Sequence, residues 1–579
     1  MRRTEPVTAL GSQSYRWVRS FEGNRGKTPG SLVIFRLRRF GAIDSLRHVP
    51  PPPTLSELTR PGLEALLLEL FAEVAALKQT VAAQREEIAR LKGLKGRPTI
   101  KPSGMDQGTE PKPPGPREKR RFRGKVSPKV TIEREVITAE VPPGSRFKGY
   151  EPFLVQDLVI SVRATWYQRE RWLTPDGRTI LAPLPDWVAG HFGPELRRFV
   201  LMQYHQGQTT LPRLLTLLRS VGVAISKRQL QRLLTDKQDA FINEAQAVLR
   251  AGLETASFVS VDDTGARHAG KNGFCTQIGN DWFTWFGTRT SKSRLNFLDL
   301  LRAGHTDYVL NDTAFAYLRE RGLPGPLMAR LRDAGQTHFA DLAAWQAHLT
   351  SLDVVTPVKK GLAVIQDPVQ IVTEGALWGS VHAHDFLLDA VVLSDDAGQF
   401  AVGKHALCWV HAERLVHKLD TFTDQQHAAQ QRVRALIWNF YADLKAYRIV
   451  PCARQRLALR ARFDRIFRRK TGFVTLDRLL ARLWANKREL LMVLDRPEIP
   501  LHTNGSETDI RCYVTRRKVS AGTRGEDGRD SRDAFLGLTK TCAKLGIPLW
   551  DYLGSRLKVA GHVVINALDQ YVRQRTRYA

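Results

Sequence analysis

Three carboxylates in unlike surroundings carry the chemistry this sequence can offer. Asp262 follows the apolar run Phe258-Val259-Ser260-Val261, and Asp395 follows Ala390-Val391-Val392-Leu393-Ser394. Glu507 stands just past Asn504-Gly505-Ser506, where a helix is expected to begin. Short β-branched runs read as buried strands. A strand that breaks at Asp-Asp would present its carboxylate at the sheet edge, within reach of ligands. Two strand-borne aspartates and a helix-borne glutamate suit hard divalent cations such as Mg²⁺, which prefer oxygen donors. A pair of such ions can clamp the attacking and leaving oxygens of a phosphodiester. Aspartate pairs also cap strands, and glutamate is common in a first helical turn, so a purely architectural reading stands beside the chemical one.

Charge bears on that choice. The 579 residues include 88 Lys and Arg against 58 Asp and Glu, a net charge of +30. Such an excess attracts a polyanion, and most nucleic-acid affinity comes from phosphate contacts. Basic residues to hold a phosphate backbone, with carboxylates to hold metal, is what a DNA-processing enzyme needs. A ribosome-associated or simple DNA-binding protein would share the charge without needing the acids. At 42% hydrophobic residues the chain can bury real cores, and its length suits roughly three or four domains. The cysteines Cys275, Cys408, Cys452, Cys512 and Cys542 are scattered, which points to a reducing cytoplasm without structural disulfides. No apolar run approaches the ~20 residues of a membrane span, and the N-terminus lacks the apolar stretch of a secretory signal.

The elements that must position the acids can be read along the chain. Residues 1–53 read as a loosely ordered basic N-terminus ending in Pro50-Pro51-Pro52-Pro53, with residues 1–52 open to an upstream start site chosen wrongly. Residues 54–94 read as a coiled-coil helix. Leu63, Leu70, Leu77 and Leu91 share one heptad position, and Leu67, Val74, Val81 and Ile88 the other. That pattern suits a parallel homodimer through residues 63–91. Residues 95–129 form a basic linker in which Arg120, Arg121 and Arg123 could track phosphates. Residues 130–190 alternate like short strands, at Val130-Thr131-Ile132, Val159–Val162 and Thr165–Gln168, and suggest a small β-rich module. Residues 191–250 are helical. Leu211, Leu214, Leu215 and Leu218 share a face, Gly222 breaks the pattern, and Ser226 can N-cap a basic second helix. This is helix-turn-helix logic, with Lys227, Arg228, Gln229 and Arg232 as candidate base readers. A generic helical hairpin would look similar.

Strand patterns resume at Phe258 and fill the first part of a catalytic core, residues 251–420. Phe274–Ile278 and Trp282–Phe286 form a hairpin around Gly279-Asn280-Asp281, and Leu295–Leu301 is a short helix. Residues 421–498 are too long for a loop and read as a helical insertion, with helices over Gln430–Lys445 and Leu476–Arg496. Residues 499–579 are the core's C-terminal helical part. An acid on the first strand, another on a later strand and a third on a helix match an α/β ribonuclease-H-like catalytic domain with helical insertions, preceded by the coiled coil and the helical DNA-binding region.

Four motifs then carry a specific resemblance: Asp262-Asp263-Thr264, Ser394-Asp395-Asp396, Cys408-Trp409-Val410-His411-Ala412-Glu413-Arg414, and Asn504–Arg511. With Arg516-Arg517-Lys518 and Gly537-Leu538, the chain resembles insertion-sequence transposases of the IS66 family, of the D-D-E type, over about residues 60–570. The resemblance implies an enzyme that binds the ends of an insertion sequence and catalyses metal-dependent DNA cleavage and strand transfer. Asp262, Asp395 and Glu507 would be its catalytic, metal-binding residues, with Mg²⁺ as cofactor and Mn²⁺ as substitute. His411, Arg414, Asn504 and Arg511 would support them. Double-stranded DNA, from element ends and target, would be the partner, with accessory proteins of the same element, in the bacterial cytoplasm near the nucleoid. The chain also departs from the family. Residues 120–200 lack the cysteines of its zinc module, and Cys408-x-x-His411 is only half a zinc site, so no zinc is expected. The stretch from about 301 to 390 is longer than expected and makes Asp312 a rival to Asp395. Asp395 is preferred because it ends a stronger β-run just before the Cys408–His411 motif. Glu413 replaces the first arginine of the family's Arg-Arg pair. Two alternatives stay open: an inactive transposase-derived DNA-binding protein, and a metal-dependent nuclease without strand transfer.

Overall fold

The computed structural model describes residues 71–74, 76, 131–185, 188, 190–355 and 367–577. The chain divides into two units, residues 1–151 and 152–579. In the first, residues 71–74 and 76 are helical, and residues 131–151 are exposed and contain no strand. The N-terminal stretch 1–53, the rest of the leucine repeat and the basic linker with Arg120, Arg121 and Arg123 lie outside the described residues.

The β-rich module is reduced to one hairpin, a correction to the sequence reading. β1 (Arg171–Leu173) pairs antiparallel with β2 (Thr179–Leu181). Residues 131–132, 159–162 and 165–168 form no strand, and Val159 and Trp166 are exposed. Alternation alone does not make a sheet: a strand needs a partner and a layer to cover its apolar face.

Helices α1 (Pro194–His205), α2 (Leu211–Ser220), α3 (Lys227–Thr235) and α4 (Asp239–Thr255) follow. α2 starts from the N-cap Thr210 and ends before Gly222, whose φ of +95° a side chain would resist. α3 opens with a reciprocal cap. The Ser226 hydroxyl accepts from the Gln229 N–H at 3.2 Å, and the Gln229 carboxamide oxygen accepts from the Ser226 N–H at 2.9 Å. Leu214, Leu218, Leu230 and Leu234 are buried in a shared core with α1 and α4.

β3 (Phe258–His268), β4 (Lys271–Gly279) and β5 (Thr284–Arg289) form an antiparallel meander. α5 (Arg294–Leu301) leads into an insertion made of β6 (Tyr308–Val309), α6 (Asp312–Glu320), α7 (Gly325–Asp333), β7 (His338–Phe339), α8 (Leu342–Ser351) and α9 (Pro368–Ala383). Within it β6 and β7 pair antiparallel. β8 (Val391–Ser394) and β9 (Lys404–Leu407) return to the main sheet parallel to β3, so its strand order is β5-β4-β3-β8-β9. All four residues of β8 are buried, which is why its run is apolar and not alternating.

α10 (Trp409–His417), α11 (Asp424–Ile449), α12 (Ala453–Phe467), α13 (Val474–Ala485) and α14 (Lys487–Leu490) pack around Trp409, Phe440, Phe463 and Phe467 in a core of their own. The helix expected over 476–496 is interrupted after Ala485, and a 3₁₀ turn at Met492–Leu494 ends the segment. α15 (Asn504–Ser520), α16 (Glu526–Leu545), α17 (Leu549–Arg556) and α18 (Leu568–Arg577) close the chain. α16 docks on β5: the Thr541 hydroxyl donates to the Thr284 carbonyl at 3.1 Å, and Asp533 accepts from the Thr288 N–H at 2.8 Å. The unit is a mixed α/β structure, and no described helix is long and apolar enough to cross a membrane.

Candidate active site

The sheet register brings the two aspartates together. Ser260 of β3 pairs with Leu393 of β8, and the two strands run parallel. Asp262 and Asp395 each stand two residues further on, so they occupy neighbouring positions on one face. One detail differs from expectation. β3 does not break at Asp262 but continues to His268, paired with β4 throughout. Asp262 becomes accessible because β8 stops at Ser394, which leaves that edge of β3 without a neighbour.

Adjacent strand residues point opposite ways, and their partners show it. The Asp263 side chain is largely covered, ion-paired to Lys292, and accepts from the Gln399 amide at 2.7 Å. Asp396 is taken up by Arg482 and by Asn486 at 3.2 Å. Asp262 and Asp395 form no ion pair with a described residue. Their carboxylates accept only backbone N–H groups, from Asp263 at 2.7 Å and Ala397 at 3.1 Å.

Glu507 reaches the same place from α15, which is strapped along β3. Near the start of the helix the Ser506 hydroxyl donates to the Ser260 hydroxyl at 2.7 Å, a buried contact. Near its end Arg517 donates to the Gly265 carbonyl, and beyond it the Thr523 N–H bonds the Arg267 carbonyl at 3.0 Å. Asn504 is the first residue of this helix. From α10, His411 Nε2 stands 3.3 Å from Glu507 Oε1, and Arg414 Nη2 stands 3.3 Å from the same oxygen. His411 also bears electrostatically on both aspartates. Arg511 lies 3.9 Å from Glu507 and is mostly exposed, so it does little to hold that carboxylate. A cavity of about 280 Å³, lined in part by Asp395, Cys408, His411, Arg414 and Arg482, opens beside the group.

The electrostatics are those of crowded anions. Burial pushes the Asp262 carboxyl up to about 6, and the charge of Asp395 adds to the rise. Burial also raises Asp395, with His411 pulling the other way. On His411 burial opposes a positive charge, but the hydrogen bond and charge of Cys408, with the charge of Glu507, together outweigh it and raise the imidazole. Two carboxylates held near each other without an ion-pair partner, with a third carboxylate alongside, are a donor set that fits hard divalent cations.

Asp312, the rival to Asp395, is exposed in the first turn of α6, in the insertion and off the five-stranded sheet. Lys227, Arg228, Gln229 and Arg232 line the exposed face of α3. The Gln229 oxygen is occupied by the helix cap, which the sequence reading had not assigned to it although Ser226-x-x-Gln229 is the capping-box spacing. The sequence reading also missed Ser260 and Ser506, the pair that fastens Glu507 to β3. A small polar residue inside a strand, matched by one on a distant helix, leaves no local pattern.

The family model described as Transposase IS66 family matches residues 382–531, a span that holds Asp395, His411 and Glu507. An uncharacterized protein, y4jO, of Sinorhizobium fredii is 49% identical over 318 residues, which cover 55% of this chain and 97% of that protein.

Proposed function

Because the chain belongs to the IS66 family of transposases, we propose that it is a D-D-E enzyme that cuts DNA at the ends of an insertion sequence and joins the freed 3′ hydroxyl to target DNA. The single observation that carries this reading is the meeting of Asp262, Asp395 and Glu507 around His411 at the edge of the sheet. The three-stranded meander with two parallel strands added beside its first strand supports a ribonuclease-H-like core. Asp262, Asp395 and Glu507 would hold divalent cations, Mg²⁺ by the hardness of the donors. When bound, such ions lower the pKa of water and neutralise charge on attacking and leaving oxygens.

The chain's own residues do the rest. The Ser260–Ser506 contact and the Arg517 strap fix the Glu507 carboxylate relative to β3. Arg414 and His411 steady that carboxylate and present positive charge to a phosphate. Arg511, largely unengaged at the surface, is free to meet the DNA backbone. The exposed basic face of α3 would read the element ends from a major groove, and the linker around Arg120, Arg121 and Arg123 would supply affinity without sequence preference.

The test is cleavage of end-sequence DNA in Mg²⁺ by Asp262→Asn, Asp395→Asn and Glu507→Gln. Each change keeps shape and removes a ligand charge, so cleavage should fall at least ~10³-fold while binding changes little. Cleavage by Asp395→Asn together with failure of Asp312→Asn would overturn the assignment of the second aspartate. Cleavage by the unaltered protein with no joined product would favour a nuclease, and no cleavage at all an inactive DNA-binding descendant.

A further inference from the structure

The insertion between α5 and β8 assembles a second set of donors, separate from the triad. His305 follows a corner in which Ala303 and Gly304 have φ of +51° and +88°, Asp307 immediately precedes β6, and His384 caps the end of α9. One ligand atom from each of the three lies within 4.8 Å of the other two. His384 Nε2 is 2.9 Å from Asp307 Oδ1, and His338 of β7 brings its Nε2 to 3.5 Å from Asp307 Oδ2. The His305 and His384 rings stack with centroids 3.5 Å apart.

We propose that His305, Asp307 and His384, with His338 as a fourth donor, bind a zinc-class divalent ion that staples β6, β7 and the end of α9 together. Two or three imidazoles and one carboxylate are borderline donors, suited to Zn²⁺ and not to Mg²⁺. The Ser380 hydroxyl donates to Asp307 Oδ1 at 3.0 Å and orients that carboxylate. Outer contacts fix the backbone: Arg302 donates to the Asp307 carbonyl at 2.8 Å, and Arg250 to the Ala303 carbonyl at 2.9 Å. Those bonds aim both guanidiniums at carbonyl oxygens next to the donors, which moderates their repulsion of a cation. The two stacked rings are 16° from parallel, so an ion would tilt them towards each other and replace the His384–Asp307 hydrogen bond.

The experiment uses the full chain carrying Asp262→Asn and Asp395→Asn, which silences the triad as a competing site. The protein is stripped with a chelator, loaded with Zn²⁺, desalted and assayed for metal by mass spectrometry. About one Zn²⁺ per chain is expected, falling below about a tenth in Asp307→Asn and in His384→Gln, with affinity weakened about tenfold or more in His338→Gln. Because a donor variant could misfold, Co²⁺ is bound in parallel to the protein with its four donors intact, where an intense visible absorption of a four-coordinate site is expected and excess Zn²⁺ should bleach it. The proposal is overturned if the triad-silenced chain holds no Zn²⁺, if Asp307→Asn retains it, or if the Co²⁺ complex shows only the weak spectrum of a hexa-aqua-like ion.

Discussion

Without metal, Asp262 weakens the fold that holds it, and the effect has a calculable size. Its carboxyl is raised from 3.8 to about 6, by burial first and then by Asp395. The folded chain therefore holds this proton more tightly than the unfolded chain. The site's contribution is most favourable below about pH 4 and is lost as pH rises through about 6. Two pKa units at ~1.4 kcal/mol each make the ionised carboxylate about 3 kcal/mol unfavourable at pH 8. Asp262→Asn removes that effect. For a unit the size of residues 152–579, an unfolding entropy of ~2.1 cal/mol/K per residue converts 3 kcal/mol to about 3 °C. Melting followed by tryptophan fluorescence, in chelator, should show the variant melting about 3 °C above the unaltered protein at pH 8. The gap should narrow by about half at pH 5 and vanish towards pH 3.5. Millimolar Mg²⁺ should narrow the gap at pH 8 by stabilising the unaltered protein more than the variant. A variant that melts lower than the unaltered protein in chelator at pH 8 would show that the carboxylate is a structural acceptor, and the reasoning would fail.

Other outcomes follow from the same geometry. Replacing Arg228 and Arg232 with Ala, which spares the Gln229 cap, should reduce preference for element ends over random DNA, whereas replacing Arg120, Arg121 and Arg123 should weaken binding to both and flatten the salt dependence; binding titrations across a salt series distinguish them. Leu70→Lys with Leu77→Lys should convert a dimer to monomers by light scattering, and an unchanged mass would discard the coiled coil. Ser506→Ala should lower cleavage several-fold with end binding intact, because one fastening of Glu507 to β3 is lost; equal cleavage would make that contact incidental. Gly379→Ala should destabilise the insertion by about 2–4 kcal/mol, since a Cβ there would overlap the Val309 carbonyl; thermal melting reads it.

The readable parts of this protein were those written locally. Ser226 followed by a basic helix announced α3, and the β-branched run before Asp395 announced β8, because capping and apolar patterning are short-range. Asp262 was found for a partly mistaken reason. Its strand does not end there. The neighbouring strand does, and where a neighbour stops cannot be read from β3's own residues. The alternation at 159–168 suggested strands that find no partner, since periodicity reports a preference and not a pairing. His305 and Asp307 lie two residues apart, but His338 and His384 come from two further stretches, so only tertiary structure gathers the four. The pairing of Gln229 with the helix cap shows the reverse problem: one side chain fits two roles by pattern, and the folded geometry commits it to one.

α15 has a second attachment whose effect is evolutionary. About 14 Å along the helix from Glu507, Arg516 is buried, lies 3.7 Å over the Tyr204 ring, and donates to the Tyr204 and Thr209 carbonyls at 3.0 and 3.3 Å. Gln208 in the same α1–α2 connection donates to the Cys512 carbonyl at 3.3 Å. The connection that leads into the α2–α3 helix pair is thus bolted to the rod that carries the third carboxylate. That helix pair should not be exchangeable as a cassette. A graft that changes the α1–α2 connection orphans a buried guanidinium, so if α3 reads the element ends as proposed, new end specificities should arise by substitutions on its exposed face, with Tyr204–Thr209 and Arg516 inherited together.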